Sequence, residues 1–345
     1  MLLVGGRQME ILYKIKDKIR ERIFLRNREK EWYMKLYYSY WHMKYHTAQS
    51  VYKNYLTARP HPDPGVGHQM ANWIAGYWFA DFFGLNYAHM PFSRSRCGKS
   101  VTQWESFLGF GEGEKKAQEL VQNEHYRMIR LPLFNEENQD EVDIIRKIIA
   151  SYADQKVVFI CEQDQFFKNQ YLVSGRLQKK FTAAKPNRKG PYLFSGDSVN
   201  IAVHVRRGDI VQTSGKENNN LTMRWLDDGY YLKVIEQILN LIQTNKRIQI
   251  FIFSQGEKSS FSEYMAFPNV KLCLDVPAMD SFEHLCAADI LITSKSSFSY
   301  KPALLNSGIK VCPEDFWHGY PDNDPNWIMV DDSGNLQNQH RIVLE

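Results

Sequence analysis

Polar and apolar positions change period along this chain, and the changes mark its organisation. From Met9 to about Tyr55, Ile11, Leu12, Ile15, Ile19, Ile23 and Phe24 recur at roughly helical spacing among Lys, Arg, Tyr and Trp, which predicts one or two basic amphipathic helices. The prolines of Arg59-Pro60-His61-Pro62-Asp63-Pro64 end that pattern, because the residue before each proline is pushed out of the helical region. A short glycine loop, Gly65-Val66-Gly67-His68-Gln69, then runs into an apolar helix ending near Phe83. Strands are expected at Tyr87–Met90 and Val157–Cys161, and helices at Gly113–His125 and Gln139–Asp154. The basic stretch Lys179–Gly190 reads as a linker.

Beyond the linker the alternation is regular. Apolar strands at Ile201–Arg206, Ile248–Phe253, Val270–Asp275, Asp289–Thr293 and Ile309–Cys312 are separated by helical stretches at Tyr230–Gln243, Ser259–Phe267, Ser281–Ala287 and Ser299–Asn306. Strands apolar on both faces, alternating with amphipathic helices, imply a parallel sheet covered on both sides and hence a Rossmann-like domain. A length of 345 residues with 43% hydrophobic content suits two cores. The expected domains are a basic helical extension at 1–60, an α/β domain at 61–190 and a second α/β domain at 191–345.

Charge sharpens this picture only at the start of the chain. The first 60 residues hold 13 Lys or Arg against 5 Asp or Glu, whereas the remainder is slightly acidic. Basic amphipathic helices can lie on an anionic membrane surface, or simply pack their apolar stripe on their own domain. No nucleic-acid motif accompanies the charge. With no apolar run of about 18 residues and no leader-like start, the expected location is cytoplasmic or peripheral to a membrane, with a secretory lumen left open. Five scattered cysteines without metal spacing favour a reducing compartment. Asp322-Asn323-Asp324 sits between prolines and reads as a turn rather than a metal-binding pair.

The candidate chemistry begins where the strand at Ile201 stops. Ile201, Val203 and Val205 alternate with Ala202, His204 and Arg206, and Arg207-Gly208-Asp209 follows. In an open α/β sheet ligands bind at the carboxyl ends of the strands, so the arginines are placed to meet an anion. His204 and Arg206 share a face, while Arg207 and Asp209 lie past the strand and are suited to fixing the loop. After the strand at Asp289, Thr293-Ser294-Lys295-Ser296-Ser297-Phe298-Ser299 gathers hydroxyls and a lysine at a helix N-terminus on the same edge, a second anion-holding element. The alternative there is an ordinary serine-rich cap. Gly65 and Gly67 permit close backbone approach to a sugar or phosphate, or simply begin a core helix. Two further strings carry little: Arg207-Gly208-Asp209 spells an adhesion tripeptide but follows a buried strand, and Asn220-Leu221-Thr222 is a glycosylation sequon.

On these residues the chain resembles the GDP-fucose-dependent fucosyltransferases, the grouping of α1,2-, α1,6- and protein O-fucosyltransferases. His204-Val205-Arg206-Arg207-Gly208-Asp209 is similar to their His-x-Arg-x-Gly-Asp motif. Ile250–Ser254, Asp280–Cys286 and the Ser-Ser-Phe-Ser core before Tyr300 look like the α1,2-type, and Gly65–Gln69 is similar to its Gly-x-Gly-Asn-Gln loop. The resemblance implies a GT-B-like fold of two Rossmann-like domains facing across a cleft. It also implies inverting, metal-independent transfer of fucose from GDP-β-L-fucose, with no separate cofactor, to a glycan, glycolipid or glycoprotein hydroxyl. Carried over, it puts His204, Arg206 and Arg207 on the donor, Asp289 at the nucleoside end and Ser296, Ser297 and Ser299 at phosphate. Gly65, Gly67 and His68 would line the same site. Arg206, His204 and Asp209 are the catalytic candidates, and Asp209, Glu217 and His68 the candidate bases. His68 where that family has asparagine, and Tyr300-Lys301-Pro302 where it has an aromatic pair, leave acceptor and linkage open. The competing expectations are a transferase of this fold using another nucleotide sugar, and a non-catalytic protein that binds a nucleotide sugar or a membrane surface.

Overall fold

The computed structural model describes residues 51–58, 65–92, 101–161, 168–208, 223–337 and 341–344, together with isolated positions between 19 and 50. The basic N-terminal helices, the proline run 60–64, Cys97, Asp209, Glu217 and the sequon at Asn220 lie outside the described residues. The chain is α/β, with contacts that group it into two units.

The first unit takes Met1–Thr57, Phe79–Ala88 and Ala117–Gln163. Its strands are β1 (Tyr55–Ala58), β2 (Asn86–His89), β3 (Arg127–Arg130) and β4 (Val157–Cys161), which neighbour one another in the order β2-β1-β4-β3. β1 pairs parallel with β2, and β3 with β4. All five residues of β4 are buried, which accounts for its unbroken apolar sequence. The amphipathic helix at Gln139–Ala150 buries Val142, Ile145 and Ile148, and its N-cap Asn138 accepts from the amides of Asp140 and Glu141. β1 corrects the expectation of helix reaching Tyr55: that residue opens a buried strand.

The second unit takes Ala58–Trp78, His89–Lys116 and Asp164–Glu345. Helix α1 (Val66–Phe82) begins at the glycine loop and lies in this unit as far as Trp78. The sheet contains β5 (Ser198–His204), β6 (Arg247–Ser254), β7 (Val270–Leu274), β8 (Ile290–Ile292), β9 (Ile309–Pro313) and β10 (Trp327–Val330). Their order is β10-β9-β8-β5-β6-β7, and every pairing is parallel. The first strand, β5, therefore lies centrally; the chain builds outward on one side and then returns to build on the other. That reversal between β5 and β8 is the switch point at which such sheets open a crevice.

Helices α2 (Asp228–Leu241), α3 (Ala278–Ala287) and α4 (Ser297–Leu305) connect these strands. Val199, Ile201, Val203 and Val205 of β5 pack with Val234, Ile235 and Ile238 of α2 and with Ile250, Ile252, Ile290 and Ile292 in one core. Full burial of each such side chain contributes roughly 1.5–3 kcal/mol. The stretch expected as a helix from Ser259 is instead a 3-10 turn series over Lys258–Ala266, broken at Phe261. The Lys179–Gly190 stretch, expected as a linker, holds helical turns and clusters with this unit: Arg188 Nε bonds buried Glu283 at 3.1 Å. Asn323, with φ of 58°, supplies the turn expected before Trp327.

Candidate functional site

The arginine strand ends as its alternation predicts. Val205 is buried, and its carbonyl accepts from Ser254 Oγ at 2.7 Å. Arg206, on the other face, donates from Nη1 to Ser296 Oγ at 3.0 Å. That bond joins the carboxyl end of β5 to the loop after β8, across the switch point of the sheet. Gly208 follows with φ of +53°, and a Cβ there would fall on the end of the Gln255 side chain, so the turn favours glycine.

Arg207 is turned the other way and is consumed by the protein. Its Nη1 donates to the carbonyls of Arg206 and Leu226 at 2.9 and 3.1 Å, and its Nη2 meets Asp228 Oδ1 at 2.6 Å. The guanidinium also sits 4.2 Å over the Trp225 ring. Asp228 in turn accepts from Tyr264 Oη at 2.7 Å. The two side chains therefore point apart, as the alternation predicts, and Arg207, which the resemblance puts on the donor, is bonded within the protein instead.

Within the serine loop the hydroxyls have different duties. Ser296 is the N-cap of α4 and accepts from the amide of Phe298 as well as from Arg206. Ser299 is fully buried and ties the loop to itself, accepting from the Ser294 amide at 3.1 Å. Ser294 Oγ accepts from Tyr231 Oη at 2.8 Å. Ser297 is part-exposed at the first turn. Lys295, expected among the anion-holding groups, is instead paired with Asp332 at 2.7 Å, its side chain 8% exposed.

The glycine loop reaches the same place. Gly65 accepts through its carbonyl from the amides of His68 and Gln69, opening α1. A Cβ on Gly67 would stand 2.9 Å from the backbone of Ser297, so the absence of a side chain is what lets the two helix starts approach. The N-termini of α1 and α4 thus converge beside Arg206. Each N-terminus carries about half a positive charge and unsatisfied amides, so the convergence favours an anion.

Two imidazoles complete the surroundings. His204 has an Nδ1 sealed from solvent with no partner among the described residues, and its ring lies 5.6 Å from that of Phe298. Burial first, and Arg206 second, lower its pKa to about 3. His318, unremarked in the sequence, stacks on Tyr300 with centroids 3.9 Å apart and puts Nε2 3.4 Å from Ser297 Oγ. Its only sequence signal is the aromatic run Phe316-Trp317-His318-Gly319-Tyr320 after a strand. Burial, then the charges of Lys301, His68 and Arg224, hold it well below the usual imidazole range.

These shifts predict acid instability. A histidine whose native pKa lies below its unfolded value near 6.5 resists protons that the unfolded chain accepts. Stability is therefore full above about pH 7 and falls as pH drops through 6.5, by up to about 1.4 kcal/mol per pH unit for each such group. His204 and His318 make this additive, with a smaller share from His284, which burial lowers while the Asp280 carbonyl and nearby carboxylates raise it, and urea melts between about pH 7.5 and 5.5 measure the slope. A flat profile would show that the native histidines take up protons freely.

Asp289 does not join this group. It precedes β8, at the amino end of the sheet, and its Oδ2 accepts from the amide of Asn200 at 2.7 Å and from the Asn200 side chain. In a parallel sheet a residue before the strand stands a full strand length from one after it, so Asp289 pins β5 to β8 at the edge opposite Arg206. A carboxylate on the correct edge is Asp280, in the first turn of α3 directly after β7. Among the described residues no group of His, Cys, Asp and Glu is arranged to hold a metal ion. No described helix is long and apolar enough to cross a membrane.

No protein-family model matches the sequence, and no curated protein matches it. Among solved structures, the chain is similar to a NodZ alpha-1,6-fucosyltransferase co-crystallised with GDP, at 14% identity and a TM-score of 0.42 over 83% of this chain and 97% of that one. It is also similar to fucosyltransferase NodZ from Bradyrhizobium, at 13% identity and a TM-score of 0.41 over 74% and 93% of the two chains. A third is POFUT1 in complex with GDP, at 11% identity and a TM-score of 0.41 over 75% and 98%.

Proposed function

We propose that the protein transfers L-fucose from GDP-β-L-fucose to a hydroxyl of a glycan acceptor, with inversion and without a metal. The observation that carries this reading is the bond from Arg206 to Ser296 across the switch point, at the place where the N-termini of α1 and α4 converge. The motif resemblance of His204–Asp209, Ser296–Ser299 and Gly65–Gln69 supports GDP-fucose as the sugar nucleotide and an enzyme of the α1,2-type.

The chemistry suits such a site. As the acceptor oxygen bonds to C1 of fucose, the bond from C1 to the β-phosphate oxygen breaks, and the electron pair leaves with GDP. The acceptor hydroxyl gives up its proton to a base, for which Asp209 is a candidate, or to the departing diphosphate. Negative charge thus grows on the diphosphate while positive charge spreads over the sugar ring, and cations fixed where the leaving charge develops lower the barrier. Arg206 is suited because its planar fork bonds phosphate bidentately and never deprotonates. His204, neutral at pH 7, offers a hydrogen bond without adding charge. We assign the donor side to the unit of Ala58–Trp78, His89–Lys116 and Asp164–Glu345, which includes Gly65, Gly67 and His68, and the acceptor side to the other unit. Asp280, which meets Lys189 Nζ at 3.5 Å, is the carboxylate we assign to the nucleoside. Asp209 remains a proposed base or loop anchor.

A thermal-shift comparison of GDP with UDP and ADP tests the reading. Saturation at about 100 times the dissociation constant adds about 2.7 kcal/mol of stability, and only GDP and GDP-fucose are expected to deliver it. Stabilisation by UDP alone would transfer the site to another sugar nucleotide, and no response to any of the three would end the proposal.

A further inference from the structure

We propose that His318 is an additional anion-binding residue of this site, donating Nδ1–H to a phosphate oxygen of the bound nucleoside diphosphate. The inference rests on the GDP-fucose reading and adds a residue that lies outside the motifs supporting it.

His318 is 7% exposed and held from several sides. Its ring lies parallel to Tyr300, at 5° and 3.9 Å. Tyr300 Oη bonds the carbonyl of the next residue, Gly319, at 2.6 Å, and the Gly319 amide bonds the Lys168 carbonyl. A Cβ on Gly319 would stand 2.6 Å from that same carbonyl, so the backbone bearing the imidazole has little room to shift. One ring nitrogen, Nε2, lies 3.4 Å from Ser297 Oγ, at the first turn of α4. The other, Nδ1, is buried and has no hydrogen-bond partner among the described residues. Buried polar atoms are nearly always satisfied, so a rigid imidazole with one orphaned nitrogen implies a group that arrives with a ligand.

The surroundings decide the sign of that group. Lys301 from α4, whose own burial holds it well below the usual ammonium range, His68 from α1 and Arg224 all oppose protonation of His318, and among the described residues no carboxylate acts to favour it. Gly67 holds the start of α1 against Ser297. The α4 N-terminus at Ser297, the α1 start held against it and the Arg224 guanidinium therefore lie about this imidazole, and the complementary ligand atom is an anionic oxygen. With the Ser297 hydroxyl donating to Nε2, the hydrogen of the neutral imidazole lies on Nδ1 and points at that oxygen.

The test uses the full chain and calorimetric titration with GDP, guanosine and inorganic pyrophosphate. His318→Asn keeps an amide N–H close to the place of Nδ1, whereas His318→Phe keeps the stack on Tyr300 and removes the donor. Affinity of the Asn variant for GDP should stay within about threefold of the parent, and that of the Phe variant should fall about 10- to 100-fold, as for a hydrogen bond to a charged group. Guanosine affinity should not change in either. Equal GDP affinity in the Phe variant, or an equal loss for guanosine, would overturn the proposal. Should the Phe variant fail to fold, the parent with isotope-labelled histidine decides: the Nδ1 resonance absent from the Asn variant must move on adding GDP and not guanosine, and an unmoved resonance overturns it. A parent that binds pyrophosphate through His318 but not GDP would remove the GDP-fucose reading and leave the anion site. A parent that binds neither removes both.

Discussion

Arg206→Ala is expected to lower turnover of GDP-fucose by about 10²- to 10³-fold, the usual effect of losing one preorganised donor to a developing oxyanion. The effect should fall on kcat more than on KM, because the charge that Arg206 meets grows as the diphosphate departs. Release of GDP from GDP-fucose in water alone gives the readout without knowledge of the acceptor. Arg206→Lys should recover only part of the loss, since an ammonium cannot hold Ser296 and a phosphate through one planar fork. Folding should survive, because Ser296 still caps the Phe298 amide when the guanidinium is gone. Full turnover by the alanine variant would remove Arg206 from the chemistry.

The elements of the C-terminal sheet were legible because burial on both faces leaves an unmistakable apolar run. β5, β6 and β9 lie within two or three residues of their predicted positions. β1, β3 and β10 escaped for different reasons. β1 follows a helical pattern whose period runs into it, β3 is flanked by Arg127 and Arg130 and is half exposed, and β10 is four residues long behind a proline-bounded turn. The site was legible in part. Period two separated Arg206 from Arg207, and glycine and serine loops were recognisable as helix starts. That Gly67 touches Ser297 depends on the packing of residues some 230 positions apart, which no local pattern encodes. Asp289 and Lys295 show the complementary failure. Their types suggest ligand contact, but Asp289 stands at the amino end of a parallel strand and Lys295 finds Asp332, and neither fact is visible without the strand direction and the neighbours.

Arg207→Ala should do what Arg206→Ala does not, and cost about 3 kcal/mol of folding stability, the lower end of the range for removing one partner of a buried ion pair. The side chain is 8% exposed and satisfies the carbonyls of Arg206 and Leu226 as well as Asp228. Its removal leaves two acceptors unpaired and takes the guanidinium from between Trp225 and Tyr231. Asp228 keeps Tyr264 and is 34% exposed on its own side chain, so water relieves part of the stranded charge, which sets the lower end. Because Asp228 opens α2 and Val205 lies in the core against that helix, the loss should propagate into the strand that carries Arg206. Urea melts at neutral pH give the number, and Asp228→Asn should show a smaller loss because the amide oxygen still accepts from the guanidinium. A variant pair in which Arg207→Ala melts like the parent while Arg206→Ala unfolds would reverse the roles of the two arginines. It would also return the donor contact to Arg207.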